Sequence, residues 1–479
     1  MDRRKFIKST ALAGLGTLCS TSPILARIQH HITATNGKAF DPSTEPKRVR
    51  KSFYDLTDEE LRNFCRAVGY MRTGLPLEDP TQWDNYALIH ALHCTEASDQ
   101  HPPVHWSWNF LPWHRAYLYF LERILANILT TKFKVDGSKF ALPYWDWTQH
   151  KGMPNTKARI DAGLPSPFFG YDLSKEDMVN KDGFDFDNGA LFDGNRGPTL
   201  YKPDMNPDNE LTQDSKEHVA ECLHYMSKEY VSYMLAAPFE QFGGKPVTDR
   251  QTGQGLLEQG PHNDGHDWVG TRIGKNRDMG TLRTAAGDPM FFMHHGCIDH
   301  VWSLYTLPQP DPKGDWGKQV YNFLDVDGST LTLSVQDIIE KTTNVTYAPS
   351  AVTIKPVPRP IRVIEPVTVP ISTFIDTIPV TVNVPADFFE HFELLVDVQT
   401  GPITDTGKYA IKIYAGEKYL GKINWLDGEY RAKQNNKNMV HTFSTLLTDV
   451  PKSGSSITFV PPKDSNVKVL IKSITYRPL

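Results

Sequence analysis

Cysteine is scarce in this sequence, which contains 5 cysteines among 479 residues. Cys65, Cys94, Cys222 and Cys297 are spread too widely to form a zinc-type cluster. They also lack the density of a disulfide scaffold, in which cross-links support a small core. The remaining one, Cys19, lies near the N-terminus. The pattern therefore argues against a fold that is held together by sulfur.

An excess of charge of one sign is missing as well. The formal net charge is −5, and the two signs are interspersed, without a basic patch that would bind nucleic acid or a basic helix that would lie on a membrane. The sequence has no internal repeat and no low-complexity tract. Its length predicts two or three domains at roughly 150 residues each. We expect neither nucleic acid nor, after signal removal, a membrane as a partner.

The N-terminus carries an apolar stretch that is too short and too interrupted to make a good transmembrane helix. It runs from Thr10 to Ala26 and follows the pair Arg3 and Arg4. Paired arginines before such a stretch resemble the bacterial twin-arginine export signal. We therefore predict a signal peptide over residues 1–26, cleaved near Ala26, and a periplasmic or secreted protein. The alternative is an ordinary basic N-terminus.

The first half of the chain predicts helices joined by long loops. Apolar residues recur at helical spacing from Tyr117 to Leu125, and Pro112 lies where the start of a helix tolerates proline. Further helices are predicted around His262 and over 293–305, whereas residues 150–215 are rich in turn-forming residues and predict a loop. The fold class that follows is mainly α, with a helical domain built on a four-helix core.

The pattern changes after residue 305. Residues 356–370 carry five prolines and predict an extended linker. Beyond them, short runs alternate between apolar and polar residues and are separated by turns, which predicts an antiparallel β-sandwich. We therefore expect a helical domain over 27–310, an intermediate segment over 311–355, the linker, and a C-terminal sandwich over 371–479.

Histidines form two separated sets. His262 and His266 stand at i and i+4, so both rings face one side of a helix, and His294-His295 adds a third imidazole on the next one. In the first half, His105 and His114 flank a tryptophan-rich stretch. Three imidazoles without a thiolate or carboxylate suit copper, and also zinc.

A third imidazole for the first set comes from His90 or His93. Two sets of three would hold two metal ions face to face. Each copper delivers one electron, and the reduction of dioxygen to peroxide needs two, so a copper pair would match that chemistry.

These motifs resemble a known family. The stretch from His105 to Glu122 is similar to the copper-A signature of tyrosinases and catechol oxidases, and the stretch from Asp288 to Asp299 is similar to their copper-B signature. The resemblance implies a cofactor of two copper ions, the first held by His90, His105 and His114 and the second by His262, His266 and His295. In the family pattern the ligand stands four residues before the aspartate, which favours His295 over His294. Cys94 stands four residues after His90, which favours His90 over His93.

The resemblance also implies roles for neighbouring residues. Cys94 would form a thioether with His105, and the alternative is a buried free thiol. Glu258 and Asn263 would hold a water that deprotonates a phenol, while the alternative for Glu258 is a charge at a helix N-terminus.

Three further residues have expected effects at this site. Asp299 would orient an imidazole, and Asp267 would add to the local acidity. Leu282 stands where many plant-type enzymes carry a gating phenylalanine.

The function implied is a dicopper phenol oxidase that uses O2 to hydroxylate monophenols and to oxidise o-diphenols to o-quinones. A catechol or o-aminophenol oxidase, a hemocyanin-type oxygen carrier and a zinc protein are the alternatives. Asp315-Trp316 and the run from His391 to Leu394 resemble C-terminal segments of plant polyphenol oxidases. That resemblance implies a C-terminal domain that covers the copper site and keeps the enzyme latent.

Overall fold

The structure is a computed structural model of the chain. It describes residues 23–95, 103–149, 190–191, 193, 196, 220–246, 251–270, 278–357, 366–375, 379–384, 390–400, 409–425, 440–450, 456–461 and 469–478. Most of the predicted signal peptide and nearly all of the predicted loop over 150–215 lie outside these ranges.

Nine α-helices have both of their ends within the described ranges. They are α1 Pro23–Thr33, α2 Asp58–Gly69, α3 Trp83–Thr95, α4 Phe110–Ile128, α5 Lys228–Ala236, α6 Phe239–Phe242, α7 Asn263–Val269, α8 Met290–Ser303 and α9 Val335–Lys341. A π-helical turn, Glu258–His262, leads directly into α7. No helix in the described part of the chain is long and apolar enough to cross a membrane.

Helix α4 is the central helix of the first domain. It spans Phe110–Ile128, and all but three of its residues are buried. A helix that is apolar on every side must be surrounded by other elements, because no face of it gains from contact with water. Its neighbours include α8, α2 and α9. The helix predicted around Pro112 is therefore confirmed, as is the helical character of the first domain.

The strands form two small sheets and one sandwich. They are β1 Lys38–Ala39, β2 Arg48–Arg50, β3 Gln251–Gly253, β4 Val320–Leu324, β5 Thr330–Ser334, β6 Val345–Tyr347, β7 Val367–Ile375, β8 Val380–Asn383, β9 Glu390–Thr400, β10 Tyr409–Ala415, β11 Lys418–Trp425, β12 Val440–Val450, β13 Ser456–Val460 and β14 Val469–Pro478. The small sheets have the orders β1-β5-β4 and β2-β6.

The C-terminal sandwich pairs a sheet of order β3-β12-β9-β14-β7 with a sheet of order β11-β10-β13-β8. Its apolar side chains form a second core, separate from the core of the helical domain. The predicted antiparallel sandwich is thus confirmed. One strand departs from the pattern: β3 belongs to the helical domain and pairs in parallel with β12.

Two boundaries differ from those expected. Strand β7 begins at Val367, inside the predicted linker, because this edge strand pairs with β14 and an edge strand tolerates Pro370. The segment 311–355 contributes β4, β5, α9 and β6, and its side chains belong to the helical core. Trp316, for example, donates its indole N–H to Asn109 Oδ1 at 2.9 Å.

Candidate metal centre

The first histidine triad comes from three separate elements. His90 lies in α3, His105 in the loop before α4, and His114 in the second turn of α4. One nitrogen from each ring falls within 4.8 Å of the other two, and all three side chains are buried. This spacing is suited to a single metal ion between the rings.

The second triad has the same geometry. His262 ends the π-helical turn, His266 lies in α7, and His295 lies in α8, again with ligating nitrogens within 4.8 Å of one another. The i, i+4 spacing turns both rings to the same side, as the sequence predicts, although a π-helical turn meets an α-helix between His262 and His266. Gly265 allows the close contact with α8, since a Cβ there would lie 2.1 Å from Cε1 of His294.

The two triads face each other. The rings of His114 and His295 stack with centroids 4.3 Å apart, and those of His105 and His262 lie 5.8 Å apart. Two metal ions held by these triads would therefore be neighbours, able to share one small ligand.

Hydrogen bonds fix which ring nitrogen points inward. His114 Nδ1 donates to the Phe110 carbonyl at 2.7 Å, and His266 Nδ1 donates to the Met279 carbonyl at 2.8 Å. With Nδ1 occupied, Nε2 is the nitrogen left for a metal. Among the described side chains, the buried Nε2 atoms of His105, His114 and His262 have no hydrogen-bond partner. Buried acceptors of this kind are the donor set that a metal ion would complete.

Burial keeps five of the six imidazoles neutral. It lowers the pKa of His114 to about 3, and it lowers the pKa of His90, His105, His262 and His295 well below the ordinary value. Desolvation is the largest cause in each case, because it penalises the charged ring. Neutral imidazole is the form that binds copper, so the site does not have to lose protons before loading.

A chain of hydrogen bonds extends from the second triad. His262 Nδ1 lies 3.1 Å from Asn263 Oδ1, and Asn263 Nδ2 donates to Gln254 Oε1 at 3.3 Å. Gln254 Nε2 donates to Glu258 Oε1 at 3.3 Å, and the backbone N–H of Trp106 donates to the same oxygen at 2.8 Å. All five residues are buried. Glu258 is therefore held from two sides beside the metal centre.

Comparison with known proteins identifies the central region. The family model described as the common central domain of tyrosinase matches residues 80–307. These residues contain both triads. Residues 80–307 therefore form a domain of the tyrosinase family.

Several plant members of the family are similar to the chain. Polyphenol oxidase of Vitis vinifera is 32% identical over 312 residues, which cover 62% of this chain and 46% of the relative. The latent form of polyphenol oxidase of Prunus armeniaca is 30% identical and is covered to 50%. The chain thus matches about half the length of these relatives. A recombinant latent aurone synthase, a polyphenol oxidase, has the same fold, with a TM-score of 0.64, 23% identity, and coverage of 93% of this chain and 92% of the other.

The two histidines that competed for ligand positions lie elsewhere in this tyrosinase-type centre. His93 donates from Nδ1 to the Ile89 carbonyl at 2.9 Å and packs against Trp113. His294 Nε2 donates to the carbonyl of His262 at 3.0 Å, which ties α8 to the π-helical turn. The structure groups His90 and His295, rather than these neighbours, with the other triad members.

Cys94 lies between two ligands. Its Sγ is 3.3 Å from His105 Nδ1 and 3.4 Å from His90 Nε2. One turn of α3 separates Cys94 from His90, as the helical spacing requires. The contact with His105 joins α3 to the loop before α4.

The other expected neighbours have different partners. Asp299 accepts hydrogen bonds from Arg50, Arg115 and Tyr347, so it fixes α8 to β2, α4 and β6 instead of orienting an imidazole. Asp267 lies 3.7 Å from the ammonium of Lys422 in the sandwich. The backbone of Leu282 is hydrogen-bonded to the His90 ring, and its side chain is buried.

Sequence reasoning missed Gln254 and Trp106. Gln254 stands four residues before Glu258, a spacing that would have placed it one turn away if the helix had been extended backward. Trp106 has a φ of 64°, which is rare for a residue with a side chain. This conformation turns its N–H toward Glu258, and no sequence signal indicates it.

Proposed function

We propose that this protein is a dicopper phenol oxidase. It would oxidise o-diphenols to o-quinones with O2 and hydroxylate monophenols at the ortho position. The observation that carries the proposal is the pair of buried triads that face each other within a tyrosinase central domain. The six imidazoles of His90, His105, His114, His262, His266 and His295 would hold the two copper ions, and neutral nitrogen donors suit copper.

The balance of the reaction sets the tasks of the site. Two catechols and one O2 give two o-quinones and two waters, whereas one monophenol and one O2 give one o-quinone and one water. When bound, the copper pair supplies the electrons that reduce O2 and recovers them from the phenol. The protein supplies the remainder: it holds the metals, excludes bulk water through burial, and removes the phenolic proton.

Glu258 is the group proposed to take that proton. A phenol has a pKa near 10 and is almost wholly protonated at neutral pH. A carboxylate beside the centre, acting through a water shared with Asn263, can accept the proton as the phenol approaches. The structure supports this role by placing Glu258 within the hydrogen-bond chain that ends on the ligand His262.

Oxygen uptake measured in parallel on a monophenol, a catechol and an o-aminophenol tests the proposal. Uptake with both the monophenol and the catechol supports the proposal. Uptake with a catechol or an o-aminophenol alone supports an oxidase with little hydroxylase activity. Reversible oxygen binding without turnover would point to a carrier of the hemocyanin type. Metal analysis that finds zinc instead of copper would exclude the phenol oxidase, the oxidase with little hydroxylase activity and the oxygen carrier.

A thioether between Cys94 and His105 is part of the proposal. The Sγ already lies at contact distance from the ring, so little movement is needed for the bond. Forming it is a two-electron oxidation in which O2, the oxidant of the proposed reaction, would accept the two hydrogens, and the unfolded protein is expected to be about 2 Da lighter than its sequence mass. Peptide mapping should then find the segments around Cys94 and His105 joined. Free alkylation of Cys94 in the copper-loaded protein would contradict the bond.

The C-terminal sandwich is proposed to shield the centre. Lys422 in β11 is 2% exposed and lies 2.5 Å from Asp264 and 3.7 Å from Asp267, both in the helix that carries His266. Burial on its own lowers the pKa of Lys422, but the nearby charges, chiefly those of Asp264 and Asp267, together outweigh it and raise the pKa, so the ammonium remains protonated. A buried ion pair thus joins the sandwich to the second triad.

Replacing Lys422 by methionine tests the shield. It leaves Asp264 and Asp267 buried without their cation, which costs about 3–5 kcal/mol and favours separation of the sandwich. We expect a higher rate on bulky phenols than on small ones, with copper content unchanged. The matched control is Lys418→Met, because Lys418 is an exposed lysine on the same strand. Equal rates for all phenols in both variants would exclude shielding.

Export by the twin-arginine route remains our proposal for location. Cleavage near Ala26 would cut within α1, after which Ile28 and Ile32 still pack in the helical core. N-terminal sequencing of the exported protein tests it, and an intact N-terminus would contradict it.

A further inference from the structure

Gln254 occupies the space between the two residues proposed to manage the phenolic proton. Its amide N–H donates to Glu258 Oε1, and its amide oxygen accepts from Asn263 Nδ2, each at 3.3 Å. The side chain is 3% exposed, so bulk water does not compete for these bonds. Glu258 and Asn263 are therefore bridged by an amide, which competes with a proton-transferring water for the same two partners.

The direction of these hydrogen bonds follows from the ligand His262. The Nε2 of His262 has no hydrogen-bond partner, so its Nδ1 is the nitrogen that carries the proton, 3.1 Å from Asn263 Oδ1 and 3.3 Å from the Glu258 carbonyl. Asn263 must then use its amide N–H toward Gln254. Gln254 in turn presents its own N–H to Glu258. In this arrangement every side-chain donor of the chain faces an acceptor.

An amide cannot replace a water in proton transfer. A water accepts the phenolic proton while it gives one of its own to Glu258, and no electrons move in that step. The amide of Gln254 is neither basic enough to accept a proton from a phenol nor acidic enough to pass one on near neutral pH. Catechol oxidation is less affected, because proton removal matters most for the monophenol.

The backbone holds Gln254 in this place. It directly follows β3, which pairs with β12 of the sandwich in the register Thr442 with Gly253. The N–H of Gly253 also donates to the carbonyl of Trp106 at 2.8 Å, and the Trp106 indole packs against Phe443 at 5.4 Å. The sandwich thus fixes both residues that hold the carboxylate of Glu258.

We infer that Gln254 is a specificity-determining residue that restricts hydroxylation of monophenols relative to oxidation of catechols by bridging Glu258 and Asn263. The inference rests on the proposed dicopper function and refines it. It concerns a class of substrate, the phenols that lack a second hydroxyl group, and it assigns their slower turnover to one side chain.

Two substitutions distinguish the effect of opening room for a water from the effect of losing the hydrogen bonds of Gln254. Gln254→Ala opens room for a water, whose share of liquid volume is about 30 Å³, and leaves Glu258 Oε1 and Asn263 Nδ2 as its partners. Gln254→Leu removes the same hydrogen bonds but fills the space. We expect the ratio of monophenol to catechol turnover to rise about tenfold or more in the alanine variant, which is part of the roughly 10²-fold or larger effect of a fully positioned proton acceptor. The leucine variant should show no rise.

Two further measurements complete the test. Adding Glu258→Gln to Gln254→Ala should remove the gain, because the new water would have no acceptor. A crystal structure of the copper-free alanine variant should show an ordered water bonded to both Glu258 and Asn263, which requires no activity. An unchanged ratio in Gln254→Ala, or an equal rise in Gln254→Leu, overturns the inference. If the inference about Gln254 is overturned while catechol turnover is normal, the dicopper function still stands. If no form of the protein oxidises a catechol, both the inference and the dicopper function are wrong.

Discussion

Replacing His295 by alanine is expected to remove one copper and to abolish turnover of every phenol. The second triad would lose one of three donors, and the remaining pair, His262 and His266, would leave a site that is open on the side of α8. The lost ring also stacks on His114 and contacts Phe291 at 4.2 Å, so the variant leaves a cavity between the two metal positions. Metal analysis of the purified protein, followed by oxygen uptake with a catechol, measures both effects.

His93→Ala is the matched control for this loss. His93 is a buried histidine on the same helix as His90, but its ring bonds to the Ile89 carbonyl and lies outside the triad. The control should retain both coppers. Loss of copper from His93→Ala with retention in His90→Ala would reverse the assignment in α3. Full copper content in His295→Ala would show that His295 is not a copper ligand and would contradict the second triad.

Replacing Glu258 by glutamine is expected to lower monophenol hydroxylation by about 10² or more, which is the contribution of a positioned proton acceptor. The substitution keeps the shape of the side chain and removes its charge. Catechol oxidation should fall less, because the second hydroxyl group makes that substrate easier to oxidise. Steady-state rates on a matched monophenol and catechol give the two numbers, and kcat should carry the difference.

Glu240→Gln controls for the loss of a carboxylate in the same domain. Glu240 is exposed on α6, and its replacement should leave both rates unchanged. Equal losses for the two substrates in Glu258→Gln would indicate that the carboxylate serves mainly to hold Trp106 and Gln254 in place. Its hydrogen bonds to these residues make that outcome a real alternative.

The parts of the site that lie on single helices could be predicted from the sequence. His262 and His266 share a face because of helical spacing, and the structure places them in one triad. The choice between His90 and His93 could not come from spacing, since both lie on α3 within one turn of each other. It depended on family resemblance, and the fold brings His90 to His105 and His114.

Contacts between residues that are distant in the chain determine the other roles in the site. Helical spacing puts Asp299 on the same face as His295, but the buried guanidinium of Arg50, 249 positions away, draws its carboxylate to β2. Gln254 is one glutamine in a glycine-rich stretch, and its role arises only because β12 pairs with β3. Partners that are distant in the chain leave no periodic signal, so these roles could not be predicted.

The pairing of β3 with β12 has a consequence for the fate of the sandwich after proteolysis. If the C-terminal domain is released, the first residues of β12 lose their neighbour and expose unpaired backbone N–H and C=O groups. At the same time the ring of Phe443 would lose its contact with Trp106, and the Leu446 N–H would lose its acceptor, the Tyr230 hydroxyl. An open strand edge next to apolar side chains is a template for self-association. The freed domain should therefore precipitate or form dimers, whereas the intact chain would not.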